Sequence, residues 1–344
     1  MKKAVLLGVL AGVAVAVLAV LGNGGGTASA DGGPHVVEAG ATPDKCAACH
    51  RIHTGQNEFL LKEAGTVQDF CYSCHGTGGP GSDLAVQEGT YYGGTNPGVY
   101  PGPIPPGTPK PASTGVGLRA GGFDYARINT TDSGYGMIRV LATPQPVTSR
   151  HSSDGTIDGT IWGNGALNSG AGPSYALECT SCHDPHGNGN YRILRSVPQG
   201  SSGAGTPTPV PVAIADQTGT KVYTTDNYFS TGGPGTGPSF GPQMSSWCAT
   251  CHTRYLATTA QPADSGDAIF TYRHRSDGLG LGGTTCIKCH APHGTNAQMT
   301  GTYSSTVPWP GGSITPTPIP GDAARSSLLK MDNRGICIKC HAGY

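Results

Sequence analysis

The sequence predicts a mostly irregular fold, with short helices and few short strands, that depends on added apolar groups for its core. Glycine supplies 56 and proline 28 of the 344 residues, close to the roughly 25–30% at which a chain without a repeat period resembles a disordered one. Only 36% of the residues are hydrophobic. Such a chain cannot bury enough of its own apolar surface to offset the backbone entropy that folding removes.

The first thirty residues have the layout of a secretory signal peptide. Lys2 and Lys3 precede an apolar run of 18 residues, Ala4 to Leu21, and Ala28-Ser29-Ala30 forms an A-x-A cleavage site. We predict a signal peptide over 1–30 and an exported mature chain over 31–344. An uncleaved membrane anchor is the alternative, because the apolar run is long enough to span a bilayer.

The charge balance gives no sign of a nucleic-acid partner. The chain has 21 basic and 21 acidic residues and no polybasic run, whereas proteins that bind nucleic acid or anionic membranes concentrate positive charge.

All twelve cysteines fall into six copies of one pattern, Cys-x-x-Cys-His. This is the attachment signature of c-type haem, because two thiols add across the vinyl groups of one porphyrin while the next histidine binds its iron. A disulfide framework gives no reason for a histidine after every pair, and zinc sites pair two such units or add spaced histidines. The sequence therefore predicts six haem c groups. The attaching residues are Cys46, Cys49, Cys71, Cys74, Cys179, Cys182, Cys248, Cys251, Cys286, Cys289, Cys337 and Cys340, with the proximal iron ligands His50, His75, His183, His252, His290 and His341.

Six further histidines equal the six irons in number. They are His35, His53, His151, His186, His274 and His293. Imidazole is a standard haem ligand, and methionine, the other common one, is too rare here to serve six sites. We therefore predict these histidines as distal ligands. A bis-histidine iron has no open position for a substrate, so we expect an electron carrier and not an enzyme.

An internal repeat organises these residues. Three times, a lone histidine is followed by Cys-x-x-Cys-His-x-x-His and then by a plain Cys-x-x-Cys-His. We predict one hexahaem domain over 31–344, built of three two-haem units at about 31–80, 145–255 and 270–344 and joined by Gly/Pro-rich loops. The fold class is a mostly irregular multihaem c-type cytochrome wrapped around a continuous chain of haems. Short helices are expected at Asn57 to Glu63 and Ala324 to Met331, and a strand at Lys221 to Thr224.

Three stretches carry a resemblance to a known family. They run from Leu177 to Gly187, from Met244 to Thr253 and from Cys337 to His341. In these stretches, and in the number and order of its motifs, the chain resembles the hexahaem outer-membrane cytochrome S family of metal-reducing bacteria. The resemblance implies bis-histidine irons, a continuous haem stack, extracellular filaments and a haem ligand donated between subunits.

The repeat assigns a special place to His53. We call the last histidine of each Cys-x-x-Cys-His-x-x-His pattern, three residues after the proximal one, the third-position histidine. It is expected to lie on the proximal side of its own haem, so it must serve another iron. If each one serves the leading haem of the preceding unit, His186 binds the Cys46/Cys49 haem and His293 the Cys179/Cys182 haem. His53 is then expected to bind the Cys286/Cys289 haem of a neighbouring molecule, which builds a head-to-tail filament. The alternative is an iron in its own chain and a monomer.

The expected function is electron transfer through a polymeric extracellular conduit. We expect it outside the cell or on the outer cell surface, taking electrons from upstream redox cytochromes and passing them to extracellular acceptors. One alternative is a monomeric periplasmic shuttle. A third class, a multihaem reductase of nitrogen or sulfur oxyanions, usually needs an open haem with lysine in place of the motif histidine, and the sequence has no Cys-x-x-Cys-Lys.

Overall fold

The computed structural model confirms the predicted irregular fold. It describes residues 35, 46–77, 82–92, 116–128, 140–161, 163–164, 174–199, 208–213, 240–257, 263–264, 272–278, 284–297, 327–332 and 336. Within these ranges most residues lie in coil, turns or bends, the longest helices have nine residues, and the longest strands have seven.

The helices coincide with the cysteine motifs. Among the described residues, two helices are single turns made of a motif alone, and two are longer and carry a motif at or beyond their C-terminal end. The helices are α1 (Val67–His75), α2 (Cys179–Cys182), α3 (Phe240–Cys248) and α4 (Cys286–Cys289), and there are 3-10 turns at Tyr191–Ile193 and Thr253–Tyr255. Of the helices in the described ranges, none has the length and apolarity needed to cross a bilayer.

Local sequence explains where α1 begins and ends. Thr66 is its N-cap: the Thr66 hydroxyl accepts a bond from the Asp69 N–H, and the Asp69 carboxylate accepts one from the Thr66 N–H. These reciprocal bonds satisfy two backbone donors that a helix start leaves open. The bond from the Thr66 N–H to the Asp69 carboxylate is the main cause that lowers the pKa of Asp69. At the other end the N–H of Gly76 donates to the Tyr72 carbonyl. The helix therefore delivers Cys71, Cys74 and His75 on its last turns.

The strands are short and antiparallel. They are β1 (Leu84–Ala85), β2 (Thr90–Tyr91), β3 (Val116–Gly117), β4 (Tyr125–Ile128), β5 (Val140–Pro146), β6 (Ser149–Arg150), β7 (Asp154–Thr160), β8 (Ser174–Glu178), β9 (Ala263–Asp264), β10 (Tyr272–Arg273) and β11 (Gly294–Thr295). β1, β2 and β3 form one sheet in that order, and the others pair as β4 with β5, β6 with β11, β7 with β8 and β9 with β10. The β6–β11 pair joins the second predicted unit to the third, with Arg150 opposite Gly294.

Side-chain cores are small among the described residues. One cluster gathers Leu194, Val212, Phe240 and Met244. A second gathers Ala126, Ala291, Met331 and Ile336, and a third Tyr91, Val116 and Leu118. Clusters of three or four buried side chains bury little apolar area, and the expectation that added groups complete the core stays consistent with them.

The two predicted helices are wrong where the structure describes them. Asn57 to Glu63 forms a turn, because the Asn57 side chain accepts bonds from the N–H groups of Phe59 and Leu61 and Leu60 has a left-handed φ of 56°. Residues 327–331 of the second also lie in turns and a bridge, with left-handed φ at Ser327 and Leu328. The predicted signal peptide at 1–30 and the strand at Lys221 to Thr224 lie outside the described residues.

Candidate haem sites

Each described motif begins with a helical turn that sets the positions of its reactive groups. The histidine N–H donates to the carbonyl of the first cysteine, at 2.8 Å for His50 and at 3.0 Å for His183, His252 and His290. In a helical turn, residues three apart lie on the same face. The two cysteine side chains of a motif therefore project to one side, as attachment to a single porphyrin requires.

A repeated hairpin frames the leading motif of each unit. The proximal histidine forms a bridge to a leucine further along the chain, in the pairs His50–Leu61, His183–Leu194 and His290–Leu329. The residue before each leucine has a left-handed φ: 56° at Leu60, 52° at Ile193 and 63° at Leu328. Since such a φ costs a residue with a side chain about 1–2 kcal/mol, its recurrence at one place marks these loops as structural equivalents.

The proximal histidines are oriented by backbone carbonyls. Their Nδ1 atoms lie 2.9 Å from the Phe59 oxygen for His50, 3.4 Å from Leu84 for His75, 2.9 Å from Arg192 for His183 and 3.1 Å from Ser327 for His290. A carbonyl can only accept, so Nδ1 carries the proton and Nε2 keeps its lone pair. This is the usual way in which a protein fixes the tautomer and direction of a metal-binding imidazole.

In the described part of the chain, four proximal rings each face a second histidine ring. The ring centres are 6.0 Å apart for His35 and His75, 6.1 Å for His50 and His186, 6.3 Å for His151 and His252, and 6.4 Å for His183 and His293. The planes are nearly parallel in the first two pairs, at 21° and 18°, and inclined by 48° and 67° in the others.

This spacing fits a metal ion held between two imidazoles. With metal–nitrogen bonds of about 2.0 Å on opposite sides, the two ring centres lie about 6.3 Å apart. Groups of three or more His, Cys, Asp or Glu side chains suited to a metal are absent from the described residues. Each pair would offer a haem iron two imidazole ligands, beside two cysteines that could hold the porphyrin, so the residues present fit haem better than a protein-only zinc site, which takes four protein ligands.

The surrounding protein keeps several of these rings neutral. Desolvation is the main cause that lowers the pKa of His151 and of His183, and it lowers the pKa of His293 to about 3. A neutral imidazole retains the lone pair that iron needs. The electrostatics therefore agree with a ligand role.

The position of His293 depends on two glycines. Its N–H donates to the Ala120 carbonyl at 2.8 Å, and Gly121 forms a parallel bridge with Gly294. A side chain at Gly121, where φ is +73°, would overlap the carbonyl of Gly294, and one at Gly294 would overlap the carbonyl of Gly122. Backbones can approach this closely only at glycine, and this approach holds the third-position histidine near His183.

The cysteine thiols of successive motifs are neighbours. A hydrogen bond between Cys71 and Cys179 raises the pKa of the Cys71 thiol, and one between Cys248 and Cys286 raises the pKa of the Cys248 thiol. Burial is the main cause that raises the pKa of the Cys49 and Cys182 thiols, and repulsion from Cys74 and from Cys251 adds to it. These thiol–thiol interactions follow the motifs in chain order, from the first to the fifth. Once joined to haem these sulfurs are thioethers and no longer titrate.

The sequence analysis did not identify the basic residue that directly follows the bridging leucine in the hairpin of each unit. Arg195 Nε donates to the Thr180 carbonyl at 2.6 Å, and Lys330 Nζ donates to the Ile287 carbonyl at 2.5 Å. Both acceptors follow the first cysteine of a motif. Lys330 is only 3% exposed, and Lys62 occupies the equivalent place in the first unit. The sequence signal is a leucine followed by a basic residue, which occurs after the leading motif of each unit at residues 61–62, 194–195 and 329–330.

Three of the described iron-ligand candidates, His53, His274 and His290, are not members of these four pairs. Both His53 and His290 are exposed, and among the described residues no histidine ring faces either of them. His274 lies in the described segment 272–278, just after β10. Cys337, Cys340 and His341, which form the sixth motif, lie outside the described residues.

A comparison with protein families agrees with this geometry. The family model described as the doubled CXXCH motif matches residues 38–79, which hold the first two motifs. Searches of curated proteins and of solved structures find no match. The family match supports a multihaem c-type cytochrome that binds haem c covalently at its motifs.

Proposed function

We propose that the mature chain carries electrons through six bis-histidine haems and polymerises head to tail into an extracellular filament. The observation that carries the proposal is the set of four histidine pairs, each spaced for one iron. Bound haem supplies a reversible one-electron iron couple. The chain's own residues then anchor, orient and shield that group.

The pairs follow one rule along the chain. The third-position histidine of the second unit, His186, faces His50 of the first, and His293 of the third unit faces His183 of the second. The lone histidines of the first two units face the second motif of their own unit, in the pairs His35–His75 and His151–His252. By the same rule His274 would serve the sixth motif.

The rule leaves one distal histidine without an iron to bind and one proximal histidine without a distal partner, in the first and the last of the three units. His53 belongs to the first of the three units, so the rule assigns it no leading motif among them. His290 belongs to the third, so the rule assigns it no distal histidine among the three units, and no described histidine ring faces it. If His53 of one copy faces His290 of the next, both histidines gain a partner. Because the two contacting surfaces differ, this contact can repeat without limit unless it closes into a ring.

The surface around His53 is suited to such a contact. Ile52 is 79% exposed, Phe59 55% and Leu60 44%, and they form three of the four large exposed hydrophobic residues in the described part of the chain. Exposed apolar groups that cluster at one place mark interaction sites more often than chance. We assign this patch, Ile52, Phe59 and Leu60 around His53, to the interface with the next copy.

The order of the thiol contacts supports a continuous electron path. Neighbouring cysteines join the first motif to the second, and so on to the fifth, so the groups that they attach would also be neighbours. The predicted export signal supports a path outside the cytoplasm, which we propose to lie at the outer cell surface or beyond. Upstream redox cytochromes would reduce the haems of this path, and extracellular acceptors would oxidise them. With all six irons bis-histidine, the chain is a carrier and not an enzyme.

Replacing His53 by alanine tests the proposal. We expect the variant to keep all six haems, to show one high-spin iron and to remain unassembled, as measured by intact mass, electron paramagnetic resonance and electron microscopy. His186→Ala is the matched control, because it removes an equivalent ligand within the chain. It should also create one high-spin iron while still forming filaments. Normal filaments of His53→Ala with every iron low-spin would refute the proposal.

A further inference from the structure

The segment that carries each third-position histidine makes a second contact with the preceding unit. His35 Nδ1 lies 2.9 Å from the carbonyl oxygen of Pro185, and His151 Nδ1 lies 2.6 Å from that of Pro292. Pro185 and Pro292 directly precede His186 and His293. One short segment therefore supplies a ring to the leading motif of the preceding unit and orients the distal histidine of that unit's second motif.

The backbone reinforces this double contact where the second and third units meet. The His151 N–H donates to the His293 carbonyl at 3.1 Å, and Arg150 pairs with Gly294 in the β6–β11 ladder. The imidazole of His151 is thus held by main-chain groups of the following unit. A carbonyl that accepts from Nδ1 fixes the ring direction and makes the opposite nitrogen a stronger donor to iron.

The first unit presents the same segment to solvent. Ile52 stands in the place of Pro185 and Pro292, directly before His53, and its side chain is 79% exposed. The first two units match closely here, since His50 bridges Leu61 as His183 bridges Leu194. The main-chain N–H of Lys62 donates to the Cys49 carbonyl at 3.0 Å, as that of Arg195 donates to the Cys182 carbonyl at 2.9 Å. The Ile52 carbonyl is therefore presented as the Pro185 carbonyl is.

We infer that the main-chain carbonyl of Ile52 accepts a hydrogen bond from Nδ1 of His274 in the neighbouring copy. This inference rests on the proposed head-to-tail assembly and extends it. His274 is the lone histidine of the last unit, the place that His35 and His151 hold in the first two. The next copy thus completes two sites at once: His53 supplies the missing ring opposite His290, and Ile52 orients the distal ligand of the sixth motif.

The consequence is that assembly changes two irons of each subunit and not one. The fifth site gains a ligand. At the haem site of the sixth motif no ligand is added, but the direction and basicity of the His274 ring change. Stronger electron donation from this imidazole stabilises ferric iron. The potential of the sixth site should therefore fall on assembly.

Electron paramagnetic resonance of the holoprotein separates the two claims, since low-spin ferric signals depend on the relative orientation of the axial rings. In His53→Ala we expect one iron to become high-spin and one of the five remaining low-spin signals to shift from its position in wild-type filaments. Five unshifted signals beside one high-spin iron would overturn the Ile52 contact and leave the proposed assembly standing. Filaments of His53→Ala with six low-spin irons would overturn the proposed assembly itself.

Ile52→Pro gives the matched control, because it restores the residue found in the other two units and keeps the carbonyl. We expect this variant to need a higher subunit concentration for assembly than the wild type, because the Ile52 side chain belongs to the interface patch, and its filaments to keep six unshifted low-spin signals. A shifted signal in assembled Ile52→Pro filaments would show that the isoleucine side chain, and not the carbonyl, sets the sixth site, and would also overturn the inference.

Discussion

The apolar patch around His53 allows a quantitative test of the interface, through the change Phe59→Ser. The Phe59 side chain is 55% exposed, while its carbonyl accepts the bond from His50 Nδ1 and its N–H donates to the Asn57 side chain. Because both of these bonds use the main chain, the substitution removes an exposed ring and keeps the frame of the first motif. The isolated subunit should therefore keep its fold and its haems.

The size of the effect follows from the exposed area. A phenylalanine side chain has roughly 200 Å² of surface, so the exposed part is about 110 Å². At about 25 cal/mol per Å², complete burial in the interface contributes about 2.8 kcal/mol. Serine retains part of this area, so we expect a loss of about 2 kcal/mol, which raises the subunit concentration needed for assembly roughly 30-fold.

The assay is the critical concentration, measured by pelleting filaments and reading the haem absorbance of the supernatant. Tyr125→Ser is the control, because Tyr125 is 42% exposed but lies on β4, away from the first motif, and should assemble as the wild type does. Assembly of Phe59→Ser at the wild-type concentration would refute the placement of this patch in the interface.

Two further substitutions test the sites and the local structure that supports them. His151→Ala should keep six haems and create one high-spin iron, since it removes the ring 6.3 Å from that of His252; a spectrum with six low-spin irons would exclude this pairing. Thr66→Ala should lower the free energy of unfolding by about 1 kcal/mol through loss of the α1 cap, measured by denaturant titration. Thr66→Ser keeps the capping hydroxyl and should unfold like the wild type, and equal stability of all three proteins would show that the cap contributes nothing.

Covalent chemistry made the motifs and the fold class predictable. Attachment of a porphyrin demands two thiols and an adjacent histidine at fixed spacing, so the candidate residues follow from the sequence alone. The composition likewise excluded a large side-chain core, and the predicted irregular fold is confirmed. The repeat also indicated which histidines meet: the structure brings His186 to His50 and His293 to His183, although iron binding at these pairs remains a prediction.

Non-local contacts explain what the sequence did not predict. A helix at Asn57 to Glu63 is incompatible with the bridge from His50 to Leu61. In the structure the bridge forms, and the Phe59 carbonyl accepts a bond from His50 Nδ1. In the third unit the corresponding bridge, from His290 to Leu329, spans 39 residues, a separation that no local pattern reports. The cations Arg195 and Lys330 were missed for the same reason, since their carbonyl partners lie 15 and 43 residues away.

A cryo-electron microscopy map of the purified mature protein tests the central claim most directly. We predict helical filaments whose subunits each hold six haems, with a histidine on both sides of every iron and with His53 of one subunit opposite His290 of the next. Single monomeric particles with His53 in solvent, or filaments in which the iron beside His290 lacks a histidine from the neighbouring subunit, would contradict this account.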